Sequence, residues 1–284
     1  MSLEVRTYTT AEAFLDRAQR FLERNEAANH LLLGAAMYQS DPAARPRFRP
    51  GLATVGDDGG LELAALVSGR NLILSYPAPD SPAPLETLAR HVLAGRWQPP
   101  GVEGPAQAAK EFALAWARLT GARPRLIRSQ RLLELRRVIP PLGIPGRLRL
   151  ATSKDVAHVA EWIVAFHEQA AEQRIRLADA RRMAEIRIAN RDIYIWEDGC
   201  SACMAAQTRP TAHGIGVSLV YTPADLRRKG YASASVAALS QMLLDSGRSF
   251  CALFADLANP TVNHIYQAIG YVPVADWESY AFGR

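Results

Sequence analysis

Six consecutive residues, Arg227-Arg228-Lys229-Gly230-Tyr231-Ala232, gather three cations, a glycine and a small residue between two apolar patterns. Before them, residues 217–221 read as a strand. After them, Ala232, Val236, Leu239 and Leu243 recur at helical spacing until Gly247, which suits a C′ position. Such a turn at a helix start brings several backbone N–H groups and the positive end of the helix dipole into one small volume, and that volume suits a diphosphate. Gly230 lets an anion approach the backbone and Ala232 keeps the approach open. Ser233 and Ser235 add hydroxyls, while Arg227 and Lys229 either contact phosphate or face solvent.

The downstream residues narrow the reading. Residues 250–255 form an unbroken apolar run, as in a strand buried on both faces. Asn259 then reads as an N-cap with Pro260 at the first helical position, and Val262, Ile265, Tyr266 and Ile269 give a helical stripe closed by Gly270. With Arg227, Gly230 and Ala232 in the loop and Asn259, Tyr266, Gly270 and Tyr271 after it, the chain resembles the GNAT acyltransferase superfamily over about residues 147–284. It departs from the pattern at Arg228, where a glycine is frequent, and has Ala232 at a position that takes glycine or alanine.

The resemblance implies acetyl-CoA as acyl donor and a small-molecule or peptide amine as acceptor. Arg227, Arg228, Lys229, Gly230, Tyr231, Ala232 and Ser233 would hold the diphosphate. The backbone of Leu219 and Tyr221 would pair with the pantetheine amides, and Asn259 would either cap its helix or bind the pantetheine arm. A free alkylamine of pKa about 10.4 is less than about one part in a thousand neutral at pH 7, a handicap of roughly 4 to 5 kcal/mol, so a base is sought. Family members often carry a glutamate on the strand before the loop, yet residues 214–221 contain no acid. Asp256 and Glu168 are the substitutes; Asp256 equally suits a turn before Asn259, and Glu168 an exposed surface. Tyr266 is the resemblance's candidate acid for the leaving thiolate, on an apolar stripe where tyrosine is also an ordinary core residue.

Elements that position these groups are read from the whole chain. Its 284 residues exceed the usual single domain, and residues 139–147, with three prolines and two glycines, form the clearest boundary. A similar plan runs on both sides of it. Residues 3–7 and 148–150 read as first strands with Thr10 and Thr152 as caps, and a shift of 142 pairs Phe14, Ala18, Phe21 and Leu22 with Val156, Ala160, Ile163 and Val164. Asp58-Gly59 and Asp198-Gly199 mark hairpins in each half. The expected fold is α/β (α+β), two GNAT-like domains, each a mixed, mostly antiparallel sheet flanked by helices. Residues 1–140 form a degenerate domain and 147–284 the catalytic one. Residues 76–86 of the first half hold four prolines, two carboxylates and no glycine, so no diphosphate site is expected there.

Composition bounds the remaining classes. The net charge of +5 comes from cations spread along the chain, so no nucleic-acid partner is expected. No run approaches 18 apolar residues and the N-terminus lacks a signal-peptide pattern, so the expectation is a cytoplasmic protein off the membrane. Cys200, Cys203 and Cys251 are too few for a disulfide framework, and a lone C-x-x-C with His167, His213 and His264 scattered elsewhere carries no metal site. Two functional readings stand: an N-acyltransferase of the acetyl type working by direct transfer in a ternary complex, or a CoA-binding sensor or interaction module without turnover. Thiol release in the presence of an acceptor separates them.

Overall fold

The computed structural model describes residues 3–41, 51–67, 71–76, 78, 80–95, 97–170 and 174–283. Within these residues the element order of the first half is β1 (Glu4–Tyr8), α1 (Ala11–Glu23), α2 (Glu26–Ser40), β2 (Gly51–Asp57), β3 (Gly60–Val67), β4 (Leu72–Leu74), α3 (Ala83–Ala94), β5 (Gly101–Pro105), α4 (Ala106–Thr120) and β6 (Arg123–Leu135). The second half repeats that order as β7 (Arg147–Leu150), α5 (Val156–Ala170), α6 (Leu177–Ala189), β8 (Ile193–Glu197), β9 (Ser201–Thr208), β10 (Gly214–Tyr221), α7 (Tyr231–Asp245), β11 (Phe250–Asp256), α8 (Pro260–Ala268) and β12 (Val272–Gly283). Mixed sheets flanked by helices are thus present in both halves. Among the described residues no helix is long and apolar enough to cross a membrane.

The duplicated plan holds, with one shift. On α1 the buried residues Phe14, Leu15 and Ala18 correspond to Val159, Ala160 and Ile163 on α5, three positions beyond the pairing read from sequence. Three residues are close to one helical turn, so the apolar stripe looks the same in either register. The caps behave as expected. Thr10 accepts from the Ala13 N–H at 3.3 Å, and Thr152 forms a reciprocal capping box with Asp155.

The compact units differ from the halves of the sequence. Unit 1 comprises Met1–Leu132 and Pro273–Arg284, and unit 2 comprises Leu133–Val272. In unit 1, β1, β2, β3 and β4 pair antiparallel in sequence, β4 pairs parallel with β5, and β5 pairs antiparallel with β12 from Trp277↔Pro105 to Ala281↔Gly101. The C-terminal strand, expected in the second domain, therefore completes the first unit, where Tyr280 and Phe282 pack on a core of Leu72, Leu85, Val92, Phe112 and Trp116. In unit 2, β7, β8, β9 and β10 pair antiparallel and β10 pairs parallel with β11. Leu133 and Leu135, at the end of β6, join its core with Val217, Val236, Leu253 and Tyr266. The proline-rich residues 139–147, expected as the boundary, lie inside this second unit.

Candidate functional site

β10 is regular until Ser218 and then changes. Its register with β9 runs Ser218↔Ala206 and next Tyr221↔Met204, so three steps on β10 answer two on β9. The extra residue is a β-bulge, and Leu219 takes φ 50° within it. The bulge resets the alternation of side chains. Val217 packs with α7 and α8, whereas Leu219 and Tyr221 pack with Val159, Ile163 and Ala184 on the α5–α6 side. The parallel ladder with β11 covers only Gly214↔Phe250 to Gly216↔Ala252. Beyond Gly216 no further register pair joins the two strands.

The loop that follows ends in an open helix start. Gly230 is the N-cap of α7 with φ 82°, and the first helical bond runs from the Ala234 N–H to the Gly230 carbonyl at 3.0 Å. No side chain caps α7, as is also true of α2, α3, α4 and α6 but not of α1 and α8, so its first-turn N–H groups have no capping side chain. Arg228 also adopts a left-handed conformation, φ 62°, and Arg227, Arg228 and Lys229 are exposed. The space beside Gly230 that a Cβ would need is taken by Ile144. Glycine is thus favoured there by its φ, while the Ile144 contact is made by the movable end of a side chain.

Side chains tie the loop in place. Arg227 Nε donates to the Thr222 carbonyl at 3.0 Å, its Nη2 donates to Gln169 Oε1 at 2.6 Å, and its guanidinium lies 6.0 Å from the Tyr221 ring. Trp162 also lies near Tyr221, at 6.1 Å between ring centroids. The buried Tyr231 donates its hydroxyl to Asp198 Oδ2 at 2.6 Å, which fastens the first turn of α7 to the β8–β9 hairpin. Ala232 packs beside Trp196 and Cys203, and Ser233 is half-buried. Ser235 is fully buried next to Cys203 and lies away from the loop's open face. Burial raises the Cys203 thiol to about 11 despite the Thr222 and Ser235 hydroxyls, so it stays protonated.

The candidate chemical groups occupy two elements. Asn259 caps α8, its Oδ1 accepting from the Val262 N–H at 3.1 Å, and Asp256 Oδ1 accepts from the Ala258 N–H at 2.9 Å in the turn before it. Both are exposed. About two turns along, Tyr266 is 7% exposed and packs against Tyr271 with ring centroids 6.0 Å apart. Burial, reinforced by the Cys203 thiol, pushes its phenol well above the ordinary value. Glu168 is exposed in the last turn of α5, next to the Gln169 that binds Arg227. Loop, bulge and α8 thus belong to one strand–loop–helix–strand–helix run, whereas Glu168 stands on α5, whose link to the loop is made by Gln169.

The corresponding place in unit 1 is built differently. β4 pairs with β3 in unbroken register from Val67↔Leu72 to Ala65↔Leu74. Asn29, fully buried on α2, accepts from the Tyr76 N–H at 2.7 Å and donates to the Tyr76 carbonyl at 2.9 Å, occupying both backbone groups. α3 has Pro82 as its N-cap, with Pro84 and Glu86 in its first turn. Pro77 and Pro79, which the sequence reading used, lie outside the described residues.

Gln169, Trp162, Asp198 and Ile144 were not identified from sequence. Each meets the site through a contact distant along the chain, for which local patterning carries no signal.

No family model and no curated protein matches the chain. Solved structures do. A Drosophila protein of a structural-genomics programme superposes with TM-score 0.68 at 14% identity, with 98% of each chain covered. A GNAT-family acetyltransferase from Colwellia psychrerythraea gives 0.58 at 9% identity, covering 99% of this chain and 100% of its own. A tandem GNAT protein from the clavulanic acid biosynthesis pathway gives 0.56 at 14%, covering 100% and 99%. These likenesses span the whole chain and establish its architecture as a tandem GNAT fold.

Proposed function

We propose that the chain is an acyl-CoA-dependent N-acyltransferase, acetyl being the group carried, that acts on an amine of a small molecule or peptide by direct transfer in a ternary complex. The observation that carries this reading is the coincidence, on one continuous segment, of the bulge at Leu219 and the uncapped first turn of α7 behind Gly230. The bulge frees β10 backbone for amide pairing, and the helix start offers N–H groups to a diphosphate. Arg227, Arg228 and Lys229 add positive charge on the open side.

The donor supplies an activated thioester. The new C–N bond replaces the C–S bond, the amine loses a proton and the thiolate gains one. Tyr266 faces the second of these proton transfers. A phenol raised far above 10 cannot hand its proton outright to a thiolate of ordinary pKa about 8.5, so Tyr266 hydrogen-bonds the developing charge while water completes protonation. Asp256 and Glu168 are the protein's carboxylates for the amine proton, acting through water from exposed positions. The first half binds no CoA on this reading, because Asn29 takes the Tyr76 backbone groups and prolines and Glu86 stand where an anion would sit.

Calorimetry with acetyl-CoA and free-thiol release over a panel of amino acids, polyamines, aminoglycosides and peptides test the proposal. Acceptor-dependent thiol release is the expected result. CoA binding with no turnover on any acceptor would favour the sensor reading, for which the absence of an acid between Gly214 and Tyr221 speaks. No CoA binding would refute both.

A further inference from the structure

The phosphate loop contains two left-handed residues, one of them the non-glycine Arg228, and α7 has no capping side chain. A left-handed arginine costs on the order of 1 kcal/mol, so the loop needs support from outside itself. Part of that support comes from the proline-rich segment that precedes β7. We propose that Ile144 is a positioning residue for the phosphate loop, pressed onto Gly230 by a strap, residues 137–146, fixed at both ends. This rests on the reading of the loop as the CoA site.

The strap is held by its backbone. At one end the Ile139 N–H donates to the Ile269 carbonyl at 2.9 Å, and Gly270, with φ 105°, leaves the room that the Arg137 carbonyl occupies. At the other end Trp196 Nε1 donates to the Pro145 carbonyl at 2.9 Å, and Gly146, with φ 109°, turns the chain into β7. Between these anchors Leu142 is 90% exposed, while Ile144 turns inward to the cluster of Trp196, Cys203, Tyr231 and Ala234. Its Cδ1 occupies the space that a Cβ on Gly230 would need. The loop is backed on that side by the Ile144 side chain, which disfavours movement toward it and keeps its N–H groups on the side of the anion. The same strap touches the end of the helix that carries Tyr266, so one segment sets both the diphosphate grip and the seat of α8.

The test is calorimetry with CoA on the full chain, with steady-state kinetics alongside. Ile144→Ala is expected to weaken CoA binding about tenfold and to raise the KM for acetyl-CoA, while kcat at saturation stays within about twofold. Ile144→Met, which keeps a terminal carbon, is expected to stay near wild type, and Leu142→Ala to match it. S-Acetylpantetheine lacks the diphosphate, so its kcat/KM should not respond to Ile144→Ala; a general loss of packing would lower both donors. Should Ile144→Ala fail to fold, Ile144→Val removes only Cδ1 and is expected to weaken CoA about threefold, with faster amide exchange over residues 228–232. Wild-type CoA affinity in folded Ile144→Ala or Ile144→Val overturns the proposal. If the wild-type chain itself binds no CoA, the reading of the site fails and takes this proposal with it, an outcome distinct from a change confined to the variants.

Discussion

At the scale of single residues, burial decides what Tyr266 can do. A phenol at 7% exposure, with its pKa pushed far up, keeps its proton across the working range, so the rate should show no limb from Tyr266 below about pH 10. Tyr266→Phe keeps the ring among Tyr271 and its neighbours and removes only the hydroxyl. The expected result is a kcat lower by about ten- to a thousandfold with acetyl-CoA affinity nearly unchanged, measured by thiol release and calorimetry. Normal turnover with lowered stability would make Tyr266 a core residue. A second residue-scale effect lies at Asp155. Burial alone would raise its carboxyl, but hydrogen bonds from Arg149 at 2.8 and 2.9 Å and from Thr152 outweigh that and lower it to about 2. Because the folded value lies below the unfolded one near 3.8, the stabilisation is present above pH 4 and lost as pH falls through 2, on the order of 2 kcal/mol. Acid titration of the wild-type chain and Asp155→Asn should therefore show unit 2 of the variant losing less stability between pH 4 and 2. Local signals of this kind were legible: Thr152 as a cap, Asn259 with Pro260, and Gly247 with φ 97° past the end of α7 all stand where the sequence put them. Arg227 with Gln169 and Tyr231 with Asp198, separated by 58 and 33 positions, were not.

At the scale of elements, the proposed site is a strand that breaks its own pattern followed by a helix that leaves its start open. The strand, the loop and both helices could be read from apolar spacing, but the bulge could not. β10 is buried on both faces, so Val217 and Leu219 look alike in the sequence although the inserted residue sends them to opposite sides. The one-turn shift between α1 and α5 has the same origin, since a stripe of period 3.6 nearly repeats after a turn. Gly230 is where element geometry and ligand binding meet. Gly230→Asp introduces a side chain at φ 82°, against Ile144, and a carboxylate at the helix start. CoA binding should fall below detection by calorimetry in a chain that still unfolds cooperatively. Gly230→Ala separates the causes: strain and the Ile144 contact should cost about 1–2 kcal/mol in thermal or denaturant unfolding, with weaker but measurable CoA binding. Unchanged affinity in both variants would place the donor elsewhere.

At the scale of the whole molecule, the chain order and the folded units do not coincide. The sequence places residues 273–284 in the second half because they follow it, and strand pairing between distant segments leaves no local trace. The pairing itself explains the assignment. β12 supplies the antiparallel neighbour of β5, Trp277 is 1% exposed, and Phe282 stacks on Trp116 at 5.6 Å between centroids and an angle of 26°. The core of unit 2 instead includes Leu133 and Leu135, contributed by the end of β6, together with residues of α7 and β10. A chain cut after Val272 should therefore lose its order in the first unit and keep it in the second. Removing buried aromatics from a core costs about 3–5 kcal/mol for each such side chain, enough to unfold a domain of ordinary stability. Amide hydrogen exchange is the direct reading: protection should collapse over Gly101–Pro105 and Ala106–Thr120 while Gly214–Tyr221 and Tyr231–Asp245 remain protected, and CoA should still bind with a stoichiometry of about one per chain. Retained protection at β5 in the shortened chain would show that unit 1 closes without its borrowed strand. Loss of protection at α7 would show that the second unit leans on that strand as well, and would remove the reason for treating its site as self-contained.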